Sequence, residues 1–138
     1  MKSDVSVRLE EGAILVVSLN PLDYEAVNGT TAMILAMDQY NIAITGKGVI
    51  DGRGFQVAGN LVSLIHKEVV KDPLRNDRPR ESIRPMNIYF RKCSHILISG
   101  ITLKDPASWN QTYDQCTGLV VENIMVGMTA LPMITATI

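Results

Sequence analysis

The sequence predicts an all-β fold in which short strands wind as a partial parallel β-helix, with one inserted loop and helix. The segment Met86–Leu103 repeats after 23 residues as Trp109–Val126, and the apolar positions of the two copies coincide. Each copy holds short apolar alternations separated by Gly, Asn, Ser or Asp, which is the pattern of strands between turns. A repeat made of such short strands does not fit a solenoid of helix pairs, but it fits one in which each repeat is one turn of a β-helix.

The strands are predicted in order along the chain. Two short strands at Val5–Leu9 and Ala13–Val17 are expected to form a partial first turn. A further copy of the repeat places Ile42 and Ile44 in the positions of residues 96 and 98, at a separation of 54 residues.

The separation of 54 residues exceeds one repeat by about 31 residues, so an insertion is predicted at about residues 55–84. Its first half, Asn60–Val70, is compatible with a short amphipathic helix. Its second half, residues 71–80, is charged and interrupted by proline, and is predicted to be a surface loop. The chain is thus a single partial domain over residues 1–138, with an atypical apolar tail at 127–138.

The two cysteines coincide when the repeats are aligned, because Cys93 and Cys116 are 23 residues apart. Neighbouring strands lie about 4.8 Å apart, so stacked cysteines are close enough for a disulfide on distance alone. The alternative is a pair of buried thiols in an apolar ladder, which we favour.

Composition excludes several classes of function. The formal net charge is −1, which argues against a dedicated nucleic-acid binder. No apolar run is long enough for a membrane span, and the N-terminus lacks the layout of a signal peptide. The glycines of residues 46–54 do not form a phosphate-binding motif and are interpreted as turn residues with positive φ. No metal or cofactor is expected, and localisation stays open.

Few side chains point to chemistry from the sequence alone. Asp51 is either a lone acid or, as we favour, a turn residue of the Asp-Gly type. His66 and His95 lack a nucleophile or a metal-spaced partner and are interpreted as structural or exposed. Basic residues of the insertion are either a solvated loop or a cationic flank beside a groove for an anionic sugar polymer; they are Lys67, Lys71, Arg75, Arg78, Arg80 and Arg84.

Four residues near the openings of the two repeats are assigned to substrate binding. They are Arg84, Asn87, Trp109 and Gln111. Trp109 is the only tryptophan of the chain, and it is predicted either to stack on a sugar ring or to be buried at the edge of a turn.

A family resemblance follows from motifs in a fixed order. The block Asn41–Gly54 resembles the N-I-x-I-x-G-x-G-x-I-D-G-x-G segment of glycoside hydrolase family 28, the polygalacturonase-like pectin hydrolases. The segments Arg84-Pro85 and Ile101–Trp109, together with the two cysteines, resemble its next block, and the opening segments Leu9–Ala13 and Asn20–Tyr24 are similar to bacterial members. The resemblance covers roughly residues 3–126.

This resemblance implies a right-handed parallel β-helix of the pectin-lyase-like type, a plant cell-wall pectin substrate and secreted or periplasmic relatives. Members hydrolyse galacturonan or rhamnogalacturonan with inversion, using an Asn-x-Asp-Gly segment, an Asp-Asp pair, a Gly-His-Gly and an Arg-x-Lys pair. None of these motifs occurs in this sequence. The resemblance therefore implies an N-terminal fragment of such an enzyme that is inactive alone, with no catalytic residue assigned.

Two other functions stay open. A pectate lyase would need an acidic calcium site, and no Asp cluster is present. A non-catalytic polysaccharide-binding or structural β-helix is the other alternative. An open end of the solenoid would also expose unpaired strand edges, so self-association is expected.

Overall fold

The computed structural model describes residues 1–72 and 79–129. These residues form mostly parallel sheets with few helices. One α-helix, α1, spans Gly54–His66, and two short 3-10 helices span Pro21–Asp23 and Glu81–Ile83. In the described ranges no helix has the length and apolar character that crossing a membrane would require.

Twelve strands of the described residues form three sheets of four strands each. The first sheet has the order β1 (Ser6–Leu9), β5 (Tyr40–Gly46), β8 (Ser94–Ser99) and β11 (Thr117–Glu122). The second has the order β2 (Ile14–Val16), β6 (Val49–Asp51), β9 (Thr102–Lys104) and β12 (Met125–Gly127). The third has the order β3 (Ala26–Val27), β4 (Thr30–Met37), β7 (Met86–Arg91) and β10 (Gln111–Asp114).

Pairing between strands is parallel throughout, except between β3 and β4. The register places Leu119 opposite Ile96 and Val121 opposite Ile98, the residues that the 23-residue alignment superimposes. On the other side of the same strand, Ile42 lies opposite Ile96. Consecutive strands β7, β8 and β9 therefore each lie beside the equivalent strand of the next repeat, in three different sheets.

Apolar side chains from equivalent positions stack in rows between the sheets. The fully buried rows include Ile44 and Ile98 in the first sheet and Ile50 and Leu103 in the second. Phe90 of β7 is also fully buried and meets Tyr113 of β10 edge to face, with 5.9 Å between the ring centroids. The alternation of buried and partly exposed residues along β4, β5 and β8 follows from the two-residue period of the β-strand.

Helix α1 begins and ends earlier than the sequence predicts. The sequence predicts a helix at Asn60–Val70, whereas α1 spans Gly54–His66. Its N-cap, Arg53, has left-handed backbone angles and offers no side-chain cap, so the usual sequence signal of a helix start is missing. The buried residues Val57, Leu61 and Ile65, four residues apart, lie on one face of α1. Val57 and Leu61 pack with Val17 and Ala107.

The glycines of residues 46–54 differ from their predicted role. Gly46 does have a positive φ, of 105°, as the turn interpretation requires. Gly52 and Gly54 do not; a Cβ atom there would lie 2.4 Å from Asn87 Oδ1 and 2.3 Å from the Pro106 carbonyl oxygen, respectively. These two positions are therefore restricted by close backbone packing rather than by backbone angles.

The cysteine thiols are both free. Cys93 is buried and Cys116 is half-buried. Their Sγ atoms lie 3.3 Å from the Arg91 carbonyl oxygen and 3.4 Å from the Phe90 carbonyl oxygen, respectively. Burial raises the pKa of the Cys93 thiol. The interpretation as two thiols in the core therefore fits the structure better than a disulfide.

The predicted boundaries of the insertion at 55–84 and of the tail at 127–138 remain predictions. Residues 73–78 and 130–138 lie outside the described residues, as do their parts of the predicted surface loop and apolar tail. Asp72, which is buried, accepts a hydrogen bond of 2.9 Å from the Arg80 backbone amide. It also forms an ion pair with Arg80 Nε at 3.1 Å.

Two glycine substitutions test the stacking of neighbouring strands. At Gly100, φ is 80° and an added Cβ would lie 2.3 Å from the Gly46 carbonyl oxygen. The matched control is Gly12→Ala, because Gly12 has a similar φ of 85° but an added Cβ meets no atom within 4 Å. Backbone strain alone should lower the free energy of unfolding of the control by about 1–2 kcal/mol. We expect Gly100→Ala to cost clearly more, because it adds the clash with the neighbouring strand. Urea unfolding of both variants would measure this, and equal effects would contradict the stacking.

Candidate functional site

A cleft of about 450 Å³ lies at the carboxyl ends of β6, β9 and β12, beside the start of α1. Its charged lining consists of Asp51, Arg53, Arg84, Lys104 and Asp105. The parallel sheet brings these groups together, because equivalent strands end at the same edge. The cleft is the site that the fold itself builds from distant parts of the sequence.

An ion cluster forms the floor of the cleft. Asp51 is the last residue of β6, Lys104 is the last residue of β9, and the two lie directly opposite each other. Lys104 Nζ is 3.3 Å from Asp51 Oδ2 and 3.7 Å from Asp105 Oδ2. One ammonium group is thus shared by two carboxylates, which is a favourable cross-strand arrangement.

Asp105 is held in its ionised form. Burial raises its pKa, but hydrogen bonds from the backbone amide and hydroxyl of Thr129, together with the charge of Lys104, outweigh burial and lower the pKa overall. A carboxylate with a lowered pKa is a poor proton donor at neutral pH, so Asp105 is unsuited to protonate a leaving oxygen.

Asp51 also fixes the local backbone. Its Oδ1 accepts a hydrogen bond of 2.9 Å from the Arg53 backbone amide, which closes the turn before α1. The interpretation of Asp51 as a turn residue therefore describes one of its two oxygens. The other oxygen belongs to the ion cluster.

Both arginines of the cleft are anchored to main-chain carbonyls. Arg53 Nη2 donates to the Val17 carbonyl, and Arg84 Nη1 donates to the Ala107 carbonyl at 2.7 Å. The Nε atom of each arginine is buried and has no hydrogen-bond partner among the described residues. These side chains brace the walls of the cleft.

Apolar groups also line the cleft. Phe55, at the start of α1, is 72% exposed, and Met128 is exposed beyond β12. Both line the cleft together with Pro106. A polar floor beneath an exposed aromatic ring is suited to a ligand that has one polar edge and one apolar face.

The four residues assigned to substrate binding are not brought together in this cleft. Of the four, Arg84 lines it. Asn87 is fully buried, and its Nδ2 donates to Asn110 Oδ1 at 2.8 Å and to the Lys104 carbonyl at 3.1 Å. Gln111 is half-buried and its Oε1 accepts from the Tyr113 hydroxyl at 2.9 Å. Their role toward a substrate stays a prediction.

Trp109 is 58% exposed. The interpretation as a buried tryptophan is therefore wrong, because the side chain lies before β10, where no described strand covers it. Its backbone carbonyl accepts a hydrogen bond of 3.1 Å from the Asn87 amide. The exposed ring is compatible with stacking on a sugar, which stays a prediction.

The sequence analysis missed Lys104, Asp105 and Phe55 as site residues. The 54-residue separation of the sequence alignment places Asp51 on Asp105, whereas the structure pairs Asp51 with Lys104, one residue earlier. The repeat therefore pointed to this region of β9 but not to the correct pairing. Phe55 could not be found this way, because its position depends on the unmarked start of α1. Across residues 1–72 and 79–129, no group of three or more His, Cys, Asp or Glu side chains could hold a metal ion.

Two solved structures are similar to this chain. A crystal structure of a Parabacteroides merdae ATCC 43184 protein, provisionally described as a glycosyl hydrolase, is similar with 32% sequence identity and a TM-score of 0.82 over 92% of this chain. The Yersinia enterocolitica family 28 exopolygalacturonase is similar in fold, with 23% identity and a TM-score of 0.70 over 93% of this chain. This chain spans 54% of the first protein and 30% of the second. No family model and no curated protein matches.

The pH dependence of stability tests the environment of Asp105. Because its folded pKa lies below the ordinary value, its ionisation stabilises the fold fully above about pH 4, and this contribution is lost as the pH falls through the lowered pKa. We expect Asp105→Asn to destabilise the protein at pH 6 and to have a smaller effect at pH 3. Urea unfolding across this range measures it, with the exposed Glu25→Gln as control. A difference that does not shrink in acid would contradict the assignment.

Proposed function

We propose that this chain is part of a polygalacturonase-type glycoside hydrolase that acts on pectin, either galacturonan or rhamnogalacturonan, with inversion. The observation that carries the proposal is the 32% identity to a protein described as a glycosyl hydrolase, over 92% of this chain. The fold of a family 28 exopolygalacturonase adds support. The order of motifs from Asn41 to Cys116, which resembles that of family 28, is a further argument for the proposal.

We further propose that the three sheets wind as a right-handed parallel β-helix. Three successive strands, β7, β8 and β9, pair in parallel with β10, β11 and β12 in three separate sheets. A chain that returns to the same three sheets after each repeat satisfies the hydrogen bonds of its strands along one axis. The short strands and the tight turns between them support this winding.

The part of the function that we assign to this chain is sugar binding rather than bond cleavage. Inverting hydrolysis requires one protonated carboxyl group and one carboxylate about 6.5–9.5 Å apart. The cleft instead holds an ion cluster in which Asp105 has a lowered pKa. The sequence also lacks the Asn-x-Asp-Gly, Asp-Asp, Gly-His-Gly and Arg-x-Lys motifs.

A second candidate function is polysaccharide binding with no catalytic role in any longer protein. The ion cluster and the exposed rings of Phe55 and Trp109 favour it, since these groups bind sugars without reacting. Enzymatic activity of a longer protein that contains this segment would distinguish the two candidates.

Binding without turnover is the expected result for this chain. In native gels cast with pectin, migration should be retarded relative to gels without polysaccharide, while dextran should have no effect. No reducing ends should be released from polygalacturonate during long incubation. Equal migration in pectin and dextran would contradict the assigned substrate. Release of reducing ends would contradict the restriction of this chain to binding.

Self-association is proposed through the unpaired edges of β10, β11 and β12. Apolar side chains are exposed along this end of the sheets, namely Leu119, Val120, Val121, Met125, Val126 and Met128. Each of the three strands is the last of its sheet among the described residues, so its outer hydrogen-bonding groups can pair with another chain.

A charge placed on the edge strand tests this proposal. Sedimentation velocity should show association of the unmodified chain that increases with concentration. Val120→Lys should shift the distribution toward monomer, because an edge lysine opposes pairing with another strand. Leu22→Lys, on an exposed turn far from this edge in the sequence, is the control. A monomer at every concentration would contradict the proposal.

A further inference from the structure

We infer that the cleft beside α1 is a subsite for an uncharged sugar unit of the polysaccharide rather than for a uronate. This inference rests on the proposed function. It assigns to the cleft a ligand class that differs from the acidic units of the pectin backbone: a neutral pyranose or furanose that presents hydroxyl groups on one edge and an apolar face on the other.

A uronate binds best to a cation that is not already engaged, and each cation of the cleft is engaged with a protein group. The Lys104 ammonium already faces Asp51 and Asp105. A bidentate contact from an arginine uses either Nε with one Nη atom, or both Nη atoms. In Arg53 and Arg84 the Nε atom is buried and one Nη atom donates to a main-chain carbonyl. In each guanidinium the edge that contains Nε is therefore closed, and one N–H group at the other end already donates to the main chain.

The floor of the cleft opposes a uronate directly. Asp51 and Asp105 place two carboxylates around one ammonium group, so a third carboxylate brought to the floor would meet like charge. Moving Lys104 to meet it would leave both aspartates without that partner. A neutral ligand avoids this repulsion.

Hydroxyl groups fit the acceptors that remain. A carboxylate has about four acceptor positions on its two oxygens. Asp51 uses two, for the Arg53 amide and Lys104 Nζ. Asp105 uses two, for the amide and hydroxyl of Thr129, while Lys104 Nζ lies 3.7 Å away as an ion pair. Neighbouring hydroxyl groups of one sugar ring can donate to the positions left on both aspartates.

The apolar wall fits the other face of the ring. Phe55 is mostly exposed at the first turn of α1, and Pro106 and Met128 line the same cleft. Because most of its side chain is exposed, Phe55 is free to contact a ligand in the cleft. A cleft of about 450 Å³ is large enough for one or two sugar units.

Titration calorimetry with the full chain and two matched disaccharides tests the inference. The probes are a neutral galactose disaccharide and the equivalent digalacturonate, which differ mainly in the carboxyl groups. We expect the neutral disaccharide to bind at least fivefold more tightly. Phe55→Ala should weaken its binding about fivefold, as expected for loss of one aromatic contact. Leu22→Ala, at an exposed apolar residue outside the cleft, should leave binding unchanged.

A charge variant gives the second arm. Asp105→Asn should weaken binding of the neutral disaccharide and strengthen binding of digalacturonate, because it removes a negative charge and an acceptor from the floor. Phe55→Ala keeps the test decisive if Asp105→Asn does not fold.

The outcomes separate this inference from the proposed function. Tighter binding of digalacturonate, or binding of the neutral disaccharide that is unaffected by Phe55→Ala, would overturn the inference while pectin binding stands. Retardation by pectin without binding of either disaccharide would also overturn the inference alone. Absence of binding to pectin and to both disaccharides would overturn the inference and the proposed function together.

Discussion

The structure depends on parallel, in-register pairing of strands that are equivalent in successive repeats. Each strand of the middle of the chain lies between its counterparts, as β8 lies between β5 and β11. Because equivalent residues face each other, apolar positions form continuous buried rows, and one shift of register would turn every row outward. The same register places the carboxyl ends of β6, β9 and β12 together. The register of the strands therefore determines both the core and the cleft.

Much of the sheet structure is predictable from the sequence, because the pairing is periodic. Aligning residues 86–103 with 109–126 gives the partners of β10, β11 and β12 without knowledge of any other contact. The copy that contains Ile42 gives the partners of β5 in the same way, across an insertion. Strand periodicity and turn residues are local signals, so they survive in a single sequence.

The candidate site was less predictable, because its residues lie at strand ends and at the start of α1, outside the repeating pattern of the strands. Asp51 alone fits a turn, and its second role appears once Lys104 lies opposite it. The start of α1 carries no capping residue, so the position of Phe55 could not be derived. Asn87 and Gln111 are polar residues at the openings of repeats, where burial cannot be judged from sequence; the structure engages both in hydrogen bonds inside the protein.

The charge arrangement of the cleft is the basis for proposing sugar binding rather than bond cleavage. Asp105 is ionised through contacts with Thr129 and Lys104, while Arg53 and Arg84 are committed to main-chain carbonyls. Hydrogen bonds and ion pairs of this kind hold side chains in fixed positions, which suits recognition of hydroxyl groups. The similarity to a protein described as a glycosyl hydrolase gives this binding surface its proposed context.

Cross-strand nuclear Overhauser effects test the central claim most directly. If strands of successive repeats pair in register, backbone protons of Leu119 should show contacts to β8 around Ile96, and those of Ile96 should also show contacts to β5 around Ile42. The pattern should be that of parallel strands. An antiparallel pattern, or contacts that join residues at other separations, would contradict the register on which both the core and the cleft depend.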